Sequence, residues 1–330
     1  MQTEMTYIPK HFKLPPNNAL PRTGNIEPYV FNDNIAIAVD IALATGRPLL
    51  VAGAPGSGKS RLAEAMATLL QWNYLHTTMT SRTRLEDLTA DYDHLLRMHD
   101  AQTRSKEEGM KPDWAYLKPG IFWWAFNSAA ASVRGGTAEE AEHHNATLEY
   151  PGVASKLKKN HNKTVLLIDE IDKAEPDLPN DLLEPLDRYR FTRPDGKQVE
   201  AVDGLEILTI ITTNRERELP AAFMRRCVGL VLKAPDADKL VNIAEHHFPK
   251  PKKDADIFSK LTRAVADKTI SLQEQANSLN RRPPSTSEFL DALKTCDKLN
   301  IDVEHEVWQL IEQSILIKDL SDKNDTPSAE

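Results

Sequence analysis

Cysteine is scarce. Only Cys227 and Cys296 occur in 330 residues, and neither has a second Cys or a His at metal-ligand spacing. That argues against a disulfide framework and a zinc site, and it fits a reducing compartment. Glycine (13) and proline (21) together are too few for a low-complexity chain. Basic residues are in deficit: Lys+Arg 41 against Asp+Glu 49 gives −8. Bulk charge therefore does not hold this chain on nucleic acid or anionic lipid. Long apolar runs are also missing. The longest uncharged stretch, residues 119–133, is interrupted by Asn127 and Ser128. A membrane helix needs about 20 apolar residues. The first 30 residues carry prolines, asparagines and charges, so no signal peptide is expected. The expectation is a soluble cytoplasmic protein with no membrane insertion.

What is present suffices for a sizeable core, with 40% hydrophobic residues. The length suits one large domain with a smaller one. Residues 1–25 hold four prolines and little periodicity, and read as a flexible N-terminal arm. From Asn34 the apolar spacing predicts a helix that Gly46 ends. The period then changes. Pro48–Ala52, Thr164–Ile168 and Leu205–Thr213 are continuous apolar runs, as expected of strands buried on both faces, and Asn73–Met79 suits another strand. A helix is expected over about 59–70. Buried strands separated by helical stretches predict an α/β fold with a doubly wound parallel sheet.

Lys59 and Asp169 lie further apart than one strand, two helices and their loops require, about 50 residues. An insertion is therefore expected at about 84–163. Its first part is rich in aromatics, including Phe122, Trp123 and Trp124, and its second part, from Gly135, looks looser. Pro194-Asp195-Gly196 centres a hairpin at about 189–202. After Val231 only helical spacing remains, which predicts a small all-helical domain over 234–318 and a disordered tail over 319–330. The α/β domain is then 26–233.

Gly53-Ala-Pro-Gly-Ser-Gly-Lys59-Ser60 fits G-x-x-x-x-G-K-[ST] between a strand and a helix. Glycines let successive backbone N–H groups converge on phosphate oxygens, and the helix N-terminus adds a positive dipole. Gly53, Pro55, Gly56, Ser57 and Gly58 form the cradle. Lys59 would contact the β- and γ-phosphates, and Ser60 would offer a hydroxyl to Mg²⁺. Asp169 and Glu170 end a buried strand at the edge where open α/β sheets bind ligands. Asp169 would hold Mg²⁺ through water, and Glu170 would polarise the attacking water. Asp172 is either a supporting group or a helix N-cap. Asn214, at the end of the next strong strand, suits orientation of the lytic water. Arg225 and Arg226 follow closely. An arginine so placed is often too far from its own phosphate and reaches a neighbour's, and its permanent charge and fork suit phosphate.

Other signals are plainer. The Phe122-Trp123-Trp124 cluster reads more readily as the insertion's own core than as a partner surface. His143-His144 and His246-His247 lack further ligands nearby. Lys156, Lys158, Lys159 and Lys163 read as a solvated basic loop.

Together these pieces resemble the MoxR-like branch of the AAA+ ATPases. The matching stretches are ATGRPLLVAGAPGSGKS (44–60), VLLIDEIDKAEPDLPNDLLEPLD (165–187), ILTIITTN (207–214) and LPAAFMRRC (219–227). The last resembles that branch's arginine-finger region, which puts the finger on Arg226 with Arg225 beside it. Pro119–Asn127 resembles the branch's insertion after the second strand, and 189–202 its hairpin before the sensor strand. The likeness covers about 28–318. It implies a P-loop NTPase fold, ATP and Mg²⁺ as cofactors, and a homo-oligomer, usually a hexameric ring. It also implies chaperone-like remodelling of a protein partner, often one carrying a von Willebrand factor A domain. Nucleic acid is not expected. The family's sensor-2 arginine opens a lid helix. Here that helix opens with Ser and Thr, which leaves Arg282, in the preceding turn, as the substitute. Two alternatives stand beside this reading: a slow nucleotide switch in a multiprotein complex, and a nucleic-acid-associated NTPase of the McrB-like branch.

Overall fold

The computed structural model describes residues 7–105, 109–153, 162–249, 251, 254–279 and 281–318. They form two compact units. The first comprises residues up to Leu20, Phe31–Ala52 and Lys59–Val231. The second comprises Pro21–Val30, Gly53–Gly58 and the chain from Leu232.

A five-stranded sheet organises the first unit. Its strands are β1 (Leu49–Gly53), β2 (Asn73–Thr78), β3 (Lys163–Asp169), β4 (Glu206–Thr213) and β5 (Val228–Leu232), in the order β5-β1-β4-β3-β2. The β1–β4, β4–β3 and β3–β2 pairs are parallel. Burial on both faces explains the near-continuous apolar composition of β1, β3 and β4. Register places the functional ends. Ile211 pairs with Ile168, so Thr212 and Asp169 follow side by side, and Thr78 pairs with Asp169 from the other flank. Strand β5 lies outside the strong apolar runs, because exposed Gly229 and Val231 alternate with buried Leu230 and Leu232.

Helix α1 (Asp33–Thr45) is capped by the Asn32 side chain, which accepts the Ile35 N–H, and ends at Gly46 with φ 66°. Such a left-handed C-terminal residue is cheap for glycine. Helix α2 (Lys59–Leu70) buries Leu62, Ala63 and Met66.

Two expectations change in this unit. The segment read as a flexible arm is tied to α1 from its first described residue: the Tyr7 hydroxyl and the Lys10 and His11 N–H groups all donate to buried Asp40. A lone buried carboxylate needs such donors, and proline content alone does not report them. The insertion is also less separate than its length suggests. Helix Ile121–Phe126 contributes Phe122, Trp123, Trp124 and Phe126 to the same core as Leu166 and Ile168 of β3. The aromatic cluster is core, as its composition suggests. The part read as looser carries helix Ala138–His143, opened by a Thr137–Glu140 capping box. The hairpin pairs Arg190–Thr192 with Gln198–Glu200. Lys156, Lys158 and Lys159 lie outside the described residues, and Lys163 forms an ion pair with Glu206 at 2.5 Å.

The second unit is helical: α3 (Ala237–His247), α4 (Ala255–Ser278) and α5 (Thr286–Leu299), then Trp308–Ile311 running into a π turn over Glu312–Ile317. Leu240, Ala244, Leu261, Val265, Phe289 and Leu293 make its core. Ile257 and Leu310 have helical spacing yet face solvent. Pro21–Val30 and Gly53–Gly58 group with these helices, and the unit continues from Leu232. The tail 319–330 lies outside the described residues. No helix among the described residues is long and apolar enough to cross a membrane.

Candidate functional site

The Gly-rich loop joins β1 to α2. The Ser57 N–H donates to the Ala54 carbonyl at 3.2 Å, and Pro55 and Gly56 are exposed. Gly56 has φ 73°, and a Cβ there would come within 2.5 Å of Ser285. Both facts demand glycine at this position. Gly53 passes close to the Leu232 carbonyl, and Gly58 lies against the Tyr29 ring. The buried Ser57 hydroxyl has no hydrogen-bond partner among the described residues.

At the start of α2, Lys59 is 6% exposed and Ser60 follows. The Lys59 ammonium donates to Asn214 Oδ1 at 2.7 Å. Burial pushes its pKa down, while the Asp169, Asp172 and Glu170 carboxylates work to keep it charged. The Ser60 hydroxyl faces both Asp169 oxygens, at 3.0 and 2.9 Å. Asp169 also accepts from the Thr212 hydroxyl, which in turn accepts the Glu170 N–H at 2.9 Å.

Glu170 leaves the strand with φ 58°, a left-handed conformation uncommon for a non-glycine residue. Its carboxylate is held from two sides. Asn214 Nδ2 donates to Oε1 at 3.3 Å, and Lys173 Nζ donates to Oε2 at 2.7 Å. That bond to Glu170 raises the Lys173 pKa. The structure thus brings together Lys59, Ser60, Asp169, Glu170 and Asn214 at the C-terminal ends of β3 and β4 and the N-terminus of α2.

The arginines stand apart from this cluster. Arg225 and Arg226 are exposed after the short helix Ala221–Met224. Arg226 Nε donates to Asp187 at 2.5 Å and Nη1 to the Ala222 carbonyl at 3.0 Å. Arg282, in the second unit, donates to buried Glu288 at 2.9 Å, and Glu288 also accepts from Ser285 and Lys318. Sequence reasoning missed two residues. Thr212 lies within the run Leu205–Thr213 without a local signal, since its place beside Asp169 depends on strand register. Lys173 carries no assigned role, although its spacing three residues after Glu170 places it within reach.

A parallel sheet in the order β5-β1-β4-β3-β2, with a G-x-x-x-x-G-K-S loop after β1 and an acid pair ending β3, defines an α/β P-loop NTPase. Residues 48–227 match the AAA domain (dynein-related subfamily), and the chain belongs to that family. It is an AAA+ ATPase in this general sense. A stretch of 163 residues is 28% identical to the "ATP-dependent Clp protease ATP-binding subunit ClpA homolog" of Trieres chinensis. That match covers 48% of this chain and 16% of the relative, so the chain spans about a sixth of that protein's length.

Proposed function

We propose that this protein is an oligomeric, Mg²⁺-dependent ATPase of MoxR type that couples ATP hydrolysis to remodelling or activating a protein partner. The observation that carries the reading is Asn214, whose amide touches Lys59 and Glu170 at once. One side chain thereby links the phosphate-binding lysine to the carboxylate that faces the lytic water.

Each residue has a task. The loop N–H groups over Gly53–Gly58 and the α2 dipole bind phosphate oxygens. Lys59 holds the β- and γ-phosphates in place. Glu170 accepts a hydrogen bond from water and draws off its proton, while Asn214 orients that water. Ser60 and Asp169 suit Mg²⁺, being hard oxygen donors already 2.9–3.0 Å apart. Among the described residues no cluster of three His, Cys, Asp or Glu makes a complete metal site. Mg²⁺ fits that shortfall, since it usually takes one or two protein ligands and completes its shell with water and phosphate. Bound there, Mg²⁺ would neutralise charge on the phosphates.

Arg226, with Arg225 beside it, completes the site of the next subunit in a ring of this chain, a hexamer in the MoxR reading. Support comes from their exposure and from the bonds of Arg226, which run to Asp187 and Ala222 rather than to the Lys59–Glu170 cluster. An arginine finger contributes about 10³–10⁵ in rate. Arg282 takes the sensor-2 role from the turn before α5. The partner in this reading is a protein, with a von Willebrand factor A domain as the candidate, and the protein works in the cytoplasm.

The test is ATP turnover per chain against protein concentration. Specific activity rises with concentration. Glu170→Gln keeps ATP binding and loses at least about 100-fold in turnover. Arg226→Ala is inactive alone and recovers activity when mixed with Glu170→Gln chains. A concentration-independent rate unaffected by Arg226→Ala would overturn the shared site.

A further inference from the structure

Asp172 is one of the most deeply buried acids in the first unit, 3% exposed, and its carboxylate bonds backbone rather than the side chains assigned to bind nucleotide. It sits on the single 3-10 turn Ile171–Lys173, two residues beyond Glu170. Its Oδ2 accepts two backbone N–H groups from the loop after β4: Asn214 at 3.1 Å and Glu216 at 2.9 Å. The residue between them, Arg215, has φ 63°. That left-handed step turns the flanking amides toward one point, a small anion-binding concavity. Arg215's own N–H is occupied by the Thr213 hydroxyl at 2.9 Å. Three successive amides of this loop are therefore each pinned by a side-chain oxygen.

We infer that Asp172 is a positioning residue for hydrolysis: its carboxylate clamps the backbone of Asn214, and so sets the distance from the Asn214 amide to Lys59 and Glu170. The inference rests on the hydrolytic reading proposed above. The Asn214 side chain spans two partners with only two side-chain torsions, so its Cα position decides whether both bonds form. A backbone shift of about 1 Å would break one of them and cost up to about 100-fold in rate.

A carboxylate suits the task better than an amide. Two donors converge on one oxygen, and charge strengthens both bonds. The second oxygen, Oδ1, is buried with no partner among the described residues. The carboxylate also adds a negative charge that favours the charged form of Lys59. An asparagine keeps one acceptor oxygen for the two amides but loses the charge that strengthens both bonds.

The experiment uses the full chain. Turnover, KM for ATP, affinity for a fluorescent ATP analogue, thermal stability and hydrogen exchange of a peptide spanning 212–218 are measured for wild type, Asp172→Ala, Asp172→Asn, Asn214→Ala and Asp172→Ala/Asn214→Ala. Asp172→Ala lowers kcat by about 10–100-fold while analogue affinity stays within about threefold of wild type. Asp172→Asn, which keeps an acceptor oxygen, recovers part of that loss. The double variant is no slower than the slower single, because both changes remove one alignment. Exchange across 212–218 is slow in wild type and at least about tenfold faster in Asp172→Ala. If the alanine variant does not fold, Asp172→Asn and the wild-type exchange rate carry the test.

Multiplicative losses in the double variant would overturn the proposal, as would unchanged kcat in Asp172→Ala or fast exchange in the wild-type loop. A wild-type chain that binds ATP without hydrolysing it would sink the hydrolytic reading instead. The exchange measurement would still decide whether Asp172 clamps the loop.

Discussion

The Lys59 ammonium donates to the side-chain oxygen of Asn214 at 2.7 Å, across 155 residues of chain. The same amide reaches Glu170 through its nitrogen. A buried cation and a carboxylate are therefore joined through one neutral side chain. The Asn214 amide stands between the two charges, bonded to each.

Replacing Lys59 tests this arrangement first. Charge-assisted hydrogen bonds contribute about 1.5–3 kcal/mol each. Lys59→Met should raise the Kd for ATP by about 10–100-fold on that scale, as measured by calorimetry. An affinity within about twofold of wild type would remove Lys59 from the phosphate site.

Lys173 makes a prediction of opposite sign. Its ion pair with Glu170 ties up a carboxylate oxygen at 2.7 Å, with the two side chains 41% and 29% exposed. Pairs this exposed contribute at most about 1 kcal/mol, which caps the effect at about fivefold. Lys173→Met should raise basal turnover within that limit, with Lys173→Arg close to wild type. A fall in the Met variant would mean that the lysine aids the reaction instead of restraining Glu170.

The N-terminal segment should make stability acid-sensitive through Asp40. Burial works to raise this carboxyl's pKa. Hydrogen bonds from the Tyr7 hydroxyl, the Lys10 and His11 amides and the His11 ring outweigh burial and hold it at about 2. The folded value lies below the unfolded one, so the stabilisation is fully present above about pH 5 and drains away as pH falls toward 2. Tyr7→Phe should cost about 1 kcal/mol at pH 7 and less near pH 2. Urea titrations at the two pH values read the difference directly. An equal cost at both would detach the hydroxyl from the carboxylate.

Trp123 is fully buried, with the Arg193 guanidinium 5.1 Å from its ring centroid. Trp123→Ala should destabilise the first unit by about 3–5 kcal/mol. Arg193→Ala should remove about 1–2 kcal/mol, since the cation is itself desolvated. Calorimetric melting checks both. A Trp123→Ala chain that melts like wild type would return the aromatic cluster to the surface.

Local signals make part of the fold legible in the amino-acid sequence. Helix α2 is readable because it follows directly on the Gly-rich loop, and α1 because of its apolar spacing and the Gly46 that ends it. Strands β3 and β4 are readable because both of their faces are buried. Strand β5 is not, since its half-exposed alternation is short and weak. Tyr7 gives no signal, because its partner Asp40 lies 33 residues away and nothing local requires either.

The candidate site divides the same way. The sequence by itself determined the loop and the strand-end acids, because backbone convergence on phosphate and a carboxylate at a sheet edge depend on neighbours within a few residues. Tertiary structure alone decided that Thr212 bridges Asp169 and Glu170, that Asn214 joins Lys59 to Glu170, and that Asp172 holds the loop behind Asn214. Those contacts follow from the parallel register of β3 against β4, with Ile211 opposite Ile168. Register is set by long-range packing of two apolar strands, and a shift of one residue would turn every one of these side chains to the other face.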